Sequence, residues 1–232
     1  MASSSTPVLL RYFELRGKGE AIRLLFEMAG VQYTEERFTA DDWRTGGKKQ
    51  EYIDQGISPF GQVPVVSINN NSKHLCQTLA ILRYFAKLNN VYGDTIEDQY
   101  TCDMLVDGVE DWRSAYVRLV YNPDFANLVG DYVAQSIPAS LTYFEKYLSG
   151  KYPGGVDATP SKIFLVGDKW SWADIMLLDM LENIVRLDAE IVPAKYPLLN
   201  KFHEQFRNEP AIKNYFRSEE HTSELQSRQY LV

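Results

Sequence analysis

The sequence predicts an α/β domain followed by an all-helical domain. Strand and helix patterns alternate over the first ~90 residues, and strand patterns are absent from Thr95 onward. Between the two halves, the polar stretch NNVYGD is typical of a linker. We therefore predict a first domain over residues 8–88, a linker over 89–94 and a helical domain over 95–216.

The first half of the α/β domain follows a β-α-β pattern. The apolar stretch VLLRYF (8–13) predicts a buried strand, and residues 20–29 carry apolar side chains at helical spacing. The stretch QYTEERF (32–38) alternates polar and apolar residues with a period of two, which predicts a second strand. Residues 40–57 are charged and lack a clear period, so the pattern indicates a loop.

The second half of this domain predicts a hairpin and a helix. Two strands, QVPVVSI (62–68) and KHLC (73–76), flank the turn-forming NNNS. The stretch QTLAILRYFAKL (77–88) has one apolar face and predicts a helix. The order β-α-β-loop-β-β-α makes a small mixed sheet with covering helices.

The second domain is predicted from long amphipathic segments interrupted by a Gly/Pro-rich break, KYPGGVDATP. The predicted helices cover residues 98–121, 132–150, 171–187, 196–208 and 210–216.

The two ends of the chain are set apart from these domains. Residues 217–232 show no helical or strand period, and they back-translate throughout into a common short-read sequencing adapter. We interpret them as read-through rather than native protein, so we expect the native terminus to be missing after about Phe216. The start, MASSSTP, lacks the features of a signal peptide and is predicted to be frayed.

Composition excludes several classes of protein. The net charge of −7 argues against an extended nucleic-acid-binding face. Two cysteines and three scattered histidines form neither a disulfide framework nor a metal-binding motif. No apolar run reaches ~18 residues, so no membrane span is predicted. We expect a cytoplasmic protein without a metal.

The Gly17-Lys18-Gly19 turn first suggests a phosphate cradle. A dinucleotide fingerprint would need a third glycine and a downstream acid, and a P-loop would end in Gly-Lys-Ser/Thr. The sequence has neither. A simple turn is the favoured interpretation.

Two later features each allow two interpretations. Pro64 lies in an apolar strand, where it either starts an edge strand or follows a cis bond that turns the N–H and C=O of Val63 outward to pair with an extended peptide. Gln77 and Thr78 open a helix, where they either cap it or hold a carboxylate.

Taken together, Tyr12, the Gln62-Val63-Pro64 corner and the Gln77-Thr78 helix start resemble the thioredoxin-like domain of a cytosolic glutathione transferase. YFELRGKGEAIR, PFGQVPVV and CQTLAILRYFAK carry the resemblance there. DGVEDWRSAYVRLVY resembles the pi class, and FLVGDKWSWADIMLLDML resembles a helix of the family with its capping box. The resemblance covers residues 8–216 and implies a β-α-β-α-β-β-α domain followed by an all-α domain.

The resemblance implies a tyrosine-type enzyme that conjugates glutathione, its co-substrate, to apolar electrophiles. Tyr12 matches the catalytic tyrosine, whose phenol hydrogen-bonds the glutathione sulfur. Such a donor favours the thiolate and lowers the thiol pKa from about 8.5. A binding protein with little turnover, or a sigma-like glutathione-dependent isomerase, remains the alternative.

The resemblance also implies the residues that hold glutathione. Gln77 and Thr78 match binders of the γ-glutamyl carboxylate, and Trp43 lies near the glycyl end. Lys49 matches a family lysine, with Lys48 a close competitor because the segment from Lys49 to Phe60 is longer than in the pi pattern. Lys18 takes the place of a family arginine, and Asp111 matches an acidic residue that reaches the γ-glutamyl amine across a dimer. The corner residues that match are Gln62, Val63 and Pro64.

Three further sets of residues follow from the resemblance. Phe60 matches an aromatic key that enters the partner subunit of a homodimer, and Arg16 is expected to form a structural ion pair. Ser171 and Asp174 are predicted to cap a helix. The electrophile pocket is predicted to be lined by Phe13, Leu15, Ala40, Val117 and Tyr121.

Overall fold

The computed structural model describes residues 7–227, with side chains described up to Ser218. The predicted frayed start at residues 1–6 lies outside this part. Along the chain, two compact units meet between Asn89 and Asn90.

The first unit is built on a four-stranded mixed sheet with the order β2-β1-β3-β4. Strands β1 and β2 are parallel, whereas β3 is antiparallel to both β1 and β4. This confirms the predicted mixed sheet with covering helices. In chain order the elements are β1 (Val8–Phe13), α1 (Glu20–Ala29), β2 (Tyr33–Phe38), α2 (Ala40–Arg44), α3 (Lys48–Asp54), β3 (Val65–Ile68), β4 (Lys73–Cys76) and α4 (Thr78–Leu88).

The prediction of a loop over residues 40–57 was wrong, because α2 and α3 occupy most of it. Helix α2 begins with a capping box: Thr39 N–H donates to Asp42 Oδ2 at 2.9 Å, and Asp42 N–H donates to Thr39 Oγ1 at 3.1 Å. Such a box satisfies backbone donors at a helix start and stabilises even a short helix. Helix α3 buries Tyr52.

The two faces of the sheet pack against different partners. Strand residues alternate between the faces, so Tyr12 and Arg11 point to opposite sides. On the Arg11 side lies an aromatic cluster that joins α2 and α3 to the sheet. Helices α1 and α4 pack against each other through Phe26 and Phe85, whose ring centroids are 4.6 Å apart.

The second unit is helical in all its regular elements within the described residues. Two short helices, α6 and α9, were not predicted, and the segment predicted as one helix over 132–150 begins with the π-helical turn Tyr132–Ser136. The helices are α5 (Ile96–Val120), α6 (Phe125–Asp131), α7 (Ile137–Lys151), α8 (Trp172–Leu187), α9 (Ile191–Lys195), α10 (Pro197–Arg207) and α11 (Pro210–Ser227).

Helix α11 is longer than predicted. We expected no helical structure after Phe216, but the backbone stays helical to Ser227, so that expectation was wrong for residues 217–227. Extending an existing helix needs no new nucleus, and residues such as Glu224, Leu225 and Gln226 favour the helical state. Residues 228–232 lie outside the described part, and the read-through origin of the tail remains a prediction.

Among the helices of residues 7–227, none combines the length and the apolar character needed to cross a lipid bilayer.

Candidate functional site

Tyr12 lies near the end of β1, and its hydroxyl reaches the loop that leads into α1. The side chain is buried, and its oxygen accepts a hydrogen bond of 2.9 Å from the Lys18 N–H. Lys18 belongs to a 3₁₀ turn, Gly17–Gly19, directly before α1. The Lys18 N–H, which a phosphate-binding turn would direct at the phosphate, therefore donates to the tyrosine instead.

Gly17 and Gly19 make room for this ring. A Cβ on Gly19 would stand 2.6 Å from Tyr12 Cδ1, and a Cβ on Gly17 would stand 2.6 Å from the Tyr12 hydroxyl. Gly17 also has a φ of +42°, which favours glycine, whereas the backbone of Gly19 is right-handed. Glycine at position 19 is thus required by ring packing, which the sequence pattern did not reveal.

The corner at Gln62 and the start of α4 are joined by their side chains. Gln77 Nε2 donates to Gln62 Oε1 at 2.8 Å, and the Val63–Pro64 bond is cis, as the second interpretation of this proline expected. Gln77 is the N-cap residue of α4, but its side chain makes no capping bond. It has a φ of +71°, an uncommon conformation for a residue other than glycine and one that is concentrated at functional sites.

Ser58 fixes the corner at Gln62 through its hydroxyl. This residue was not identified from the sequence. Its hydroxyl accepts a hydrogen bond of 2.9 Å from the Gln62 N–H and donates one of 2.6 Å to the Gln62 carbonyl. The residue is fully buried. Both backbone groups of Gln62 are therefore held by one side chain, which leaves its amide side chain to contact Gln77.

The two competing lysines lie in different surroundings. Lys48 Nζ forms an ion pair with Glu36 at 2.7 Å and lies over the rings of Phe38 and Tyr52. Lys49 is exposed, and its side chain runs past Gly61, where a Cβ would stand 2.9 Å from Lys49 Cε. Lys48 is thus held at the sheet, and Lys49 lies beside the residue that precedes Gln62.

Trp43 and Phe13 belong to the aromatic cluster on the Arg11 side of the sheet. Trp43 stacks on Phe38 with centroids 5.5 Å apart, and Phe13 packs edge-on against both rings. Trp43 is buried and Phe13 is half-buried. The cluster holds α2 against the sheet, so both candidates have a packing role there.

The other candidate residues vary in exposure. In the first unit, Phe60 is 66% exposed, Ala40 is exposed and Leu15 is half-buried against Gly17. The remaining three belong to α5 and its end: Asp111 is exposed, Val117 is half-buried, and Tyr121 is 63% exposed. Tyr121 therefore does not belong to the core of its unit.

Arg16 pairs with Glu20, with 3.2 Å between Nε and Oε1, which confirms the predicted structural ion pair.

Asp174 caps α8 and also holds a neighbouring loop. Its carboxylate accepts hydrogen bonds from the Ser171 N–H at 2.7 Å, the Ser171 hydroxyl at 2.8 Å and the Leu165 N–H at 2.8 Å. Burial raises the pKa of Asp174 to about 6. The contact with Leu165, nine residues before Asp174, shows that this residue does more than cap a helix.

Neither cysteine is held as a thiolate. Burial raises the pKa of Cys76, whose Sγ donates to the Ile57 carbonyl, and raises the pKa of Cys102 to about 11. Both are free thiols. Within the described residues, no group of three or more His, Cys, Asp or Glu side chains is placed to hold a metal ion.

Both halves of the chain match known protein families. Residues 8–87 match the family model "Glutathione S-transferase, N-terminal domain", and residues 110–219 match "Glutathione S-transferase, C-terminal domain". The chain is 35% identical over 214 residues to "Glutathione S-transferase P 1" of Xenopus laevis, covering 91% of this chain and 92% of that protein. It is 31% identical over 218 residues to "Glutathione S-transferase P" of Bos taurus, covering 93% and 94%.

Among solved structures, a pi-class glutathione S-transferase of Onchocerca volvulus superposes with a TM-score of 0.80 at 28% identity, covering 93% of this chain and 95% of that one. A structure of rat hPGDS complexed with a quinoline gives a TM-score of 0.74 at 25% identity, covering 91% and 96%.

Proposed function

The chain belongs to the glutathione S-transferase family, and we propose that Tyr12 activates the thiol of bound glutathione for attack on an apolar electrophile. The observation that carries this proposal is the Tyr12 hydroxyl, which accepts the Lys18 N–H at 2.9 Å. An accepted hydrogen bond polarises the phenol and makes its O–H a stronger donor. A strong donor to sulfur favours the thiolate over the thiol.

The energetic demand on Tyr12 is modest. A free thiol with a pKa of about 8.5 is mostly protonated at neutral pH, and lowering that pKa by about two units takes roughly 2.7 kcal/mol. One hydrogen bond to an anion, together with the dipole at the start of α1, supplies energy of this order. The thiol proton leaves to solvent, the sulfur–carbon bond forms, and the leaving group departs or the electrophile is protonated.

The glutathione peptide is held by the corner and by the start of α4. The bond between Gln62 and Gln77 brings the Val63 backbone beside the Gln77-Thr78 pair, which supports a peptide site with a carboxylate at the helix start. Of the two lysines, Lys49 is the binder of the glycyl end, because Lys48 is already paired with Glu36. Trp43, Lys18 and Asp111 keep their predicted roles.

The enzyme acts as a cytoplasmic C2 homodimer. The exposed Phe60 ring supports a role as an interface anchor, and the exposed Asp111 supports a role toward the amine of glutathione in the partner's site. Two free thiols fit a reducing compartment. The electrophile pocket remains a prediction from the resemblance, with the residues Phe13, Leu15, Ala40, Val117 and Tyr121.

The experiment is glutathione conjugation to a chlorinated aromatic substrate, comparing the natural protein with Tyr12→Phe. We expect kcat/KM to fall about 25-fold at pH ~7 and to approach a loss of about 100-fold at lower pH, where the full roughly 2.7 kcal/mol of thiolate stabilisation is expressed. The matched control is Tyr33→Phe, which also removes one hydroxyl, bonded to Glu27, from the same unit and is expected to keep the natural rate. Glutathione binding without turnover in every protein would identify a binding protein instead.

A second pair of variants tests the choice between the lysines. Lys49→Met is expected to raise the KM for glutathione about tenfold, because one contact with a carboxylate is lost. Lys48→Met is expected to leave that KM unchanged and to lower stability, because it removes the ion pair with Glu36. The reverse pattern would contradict the assignment of Lys49.

A further inference from the structure

Arg23 is a buried cation next to the candidate catalytic loop, and no role has yet been assigned to it. It lies on α1, and only 1% of the residue is exposed. Burying a charge is costly unless its hydrogen-bonding capacity is met. The contacts that meet it therefore indicate what the residue does.

One side of the guanidinium is bound to the sheet. Arg23 Nε and Nη2 donate to the two carboxylate oxygens of Glu35 at 2.9 and 3.1 Å, a bidentate pair. Glu35 lies on β2 in register with Leu10 of β1. Arg23 is therefore fixed relative to the strand that carries Tyr12.

The other side is bound to the loop that precedes α1. Nη1 donates to the carbonyl of Leu15 at 3.1 Å and to the carbonyl of Arg16 at 3.4 Å, and it contacts Glu20 at 3.2 Å. The carbonyl of Arg16 shares its peptide bond with Gly17, and the N–H of the following peptide bond, that of Lys18, donates to Tyr12. The guanidinium carbon also lies 5.9 Å from the centroid of the Tyr12 ring.

We propose that Arg23 is a positioning residue for thiol activation, because its planar fork ties the loop carbonyls to the sheet and so aims the Lys18 N–H at the Tyr12 hydroxyl. The proposal rests on the proposed function of Tyr12. Glycine at position 17 leaves the loop free to rotate, and the fork removes that freedom. A lysine would keep the charge, but a point charge cannot bridge a carboxylate and two carbonyls at once.

The test measures the pKa of the bound thiol in the natural protein, Arg23→Lys and Arg23→Met. The near-ultraviolet absorbance of the thiolate is followed against pH, together with kcat/KM. We expect both variants to raise the thiol pKa, by about one unit in Arg23→Met. The loss of kcat/KM is then about threefold at pH ~7, approaches about tenfold at lower pH and recovers in alkaline solution. A purely structural role would give a loss that does not depend on pH.

Arg37→Met is the matched control. Arg37 also binds Glu35, with 2.6 Å between Arg37 Nε and Oε2, but it lies on β2 and not on the helix that follows the loop. We expect its thiol pKa to equal that of the natural protein. In a Tyr12→Phe background, Arg23→Lys is expected to cause no further shift, because Arg23 acts through Tyr12.

The outcomes separate this inference from the proposed function. If the natural protein shows neither a thiolate band nor conjugation, the proposed function fails. If Tyr12→Phe raises the thiol pKa and a folded Arg23→Lys or Arg23→Met does not, only the role of Arg23 is overturned. Arg23→Lys keeps the charge in the buried site, so it gives a folded variant for measurement if Arg23→Met does not fold.

Discussion

Glu35 in the first unit and Asp174 in the second are both carboxylates held by several hydrogen bonds, yet their pKa values shift in opposite directions. Burial alone would raise the pKa of Glu35, but hydrogen bonds from Arg37 and Arg23 outweigh it and hold that pKa below its ordinary value. Burial raises the pKa of Asp174 to about 6, although three N–H and O–H groups donate to it.

The difference lies in the charge of the donors. The donors to Asp174 are two backbone N–H groups and a hydroxyl, which favour the anion but carry no net charge. The donors to Glu35 are two guanidinium groups, which favour the anion by hydrogen bonding and by full charge. Neutral donors only reduce the rise in pKa that burial causes in a carboxylate, whereas cationic donors outweigh burial and lower the pKa.

The largest effect is expected from Glu35→Gln. The substitution leaves Arg23 buried without its carboxylate, and removing one partner of a buried ion pair costs about 3–5 kcal/mol. Urea unfolding measures the loss. The matched control is Glu36→Gln on the neighbouring residue, whose side chain is 35% exposed, where we expect a smaller loss of about 1 kcal/mol.

Comparing the natural protein with Glu35→Gln also tests the direction in which the pKa of Glu35 is shifted. A lowered folded-state pKa contributes stability above the ordinary value of 4.5, and this contribution is lost as the pH falls through the folded-state value. The gap in unfolding free energy between the natural protein and Glu35→Gln should therefore narrow on acidification. A gap that widens below pH ~4.5 would mean that the pKa of Glu35 is raised.

The next effect is expected from Asp174→Asn, at about 2 kcal/mol in mildly acidic solution, because either orientation of the amide turns a donor toward a backbone N–H that now bonds to Asp174. Here the raised pKa gives the opposite dependence on pH. The contribution of Asp174 to stability is full below its ordinary 3.8 and is lost as the pH rises through about 6. Thermal unfolding between pH ~4 and ~7 should show the natural protein and the variant converging as the pH rises. Parallel curves would contradict the shift.

The smallest effect is expected from Ser171→Ala. It removes the hydroxyl donor to Asp174 and keeps the backbone donor, so we expect a loss of about 1 kcal/mol. Because one contact that favours the anion is gone, the pKa of Asp174 should rise further. The pH dependence of unfolding in this variant measures that rise, and an unchanged midpoint would show that the hydroxyl contributes nothing.

Strands and helices could be predicted from the sequence wherever one buried face imposes a regular spacing of apolar residues. The strands Val8–Phe13 and Lys73–Cys76 and the helix Glu20–Ala29 lie where their apolar patterns predicted. Helices α2 and α5 begin at capping boxes, Thr39 with Asp42 and Thr95 with Asp98, and the Thr-x-x-Asp spacing could have revealed both starts. Helix α9 contains Pro193, so its pattern argued against a helix.

For the candidate site, the sequence indicated residue types but not the contacts between them. Tyr12 and Gln77 follow from motifs, whereas the bond from Gln77 to Gln62 depends on the hairpin that brings them together. The roles of Ser58 and Gly19 depend on atoms within about 3 Å across the fold, and no period in the sequence encodes such distances.

The packing of Gly17 and Gly19 against the Tyr12 ring limits how this site can change over evolution. The phenol occupies the space where two side chains would otherwise stand. A smaller residue at position 12 would open a void the size of an aromatic ring, and larger residues at positions 17 and 19 would be free to fill it. Exchanging the tyrosine for a smaller activating residue therefore involves three positions, and single substitutions along that route pass through a clash or a cavity.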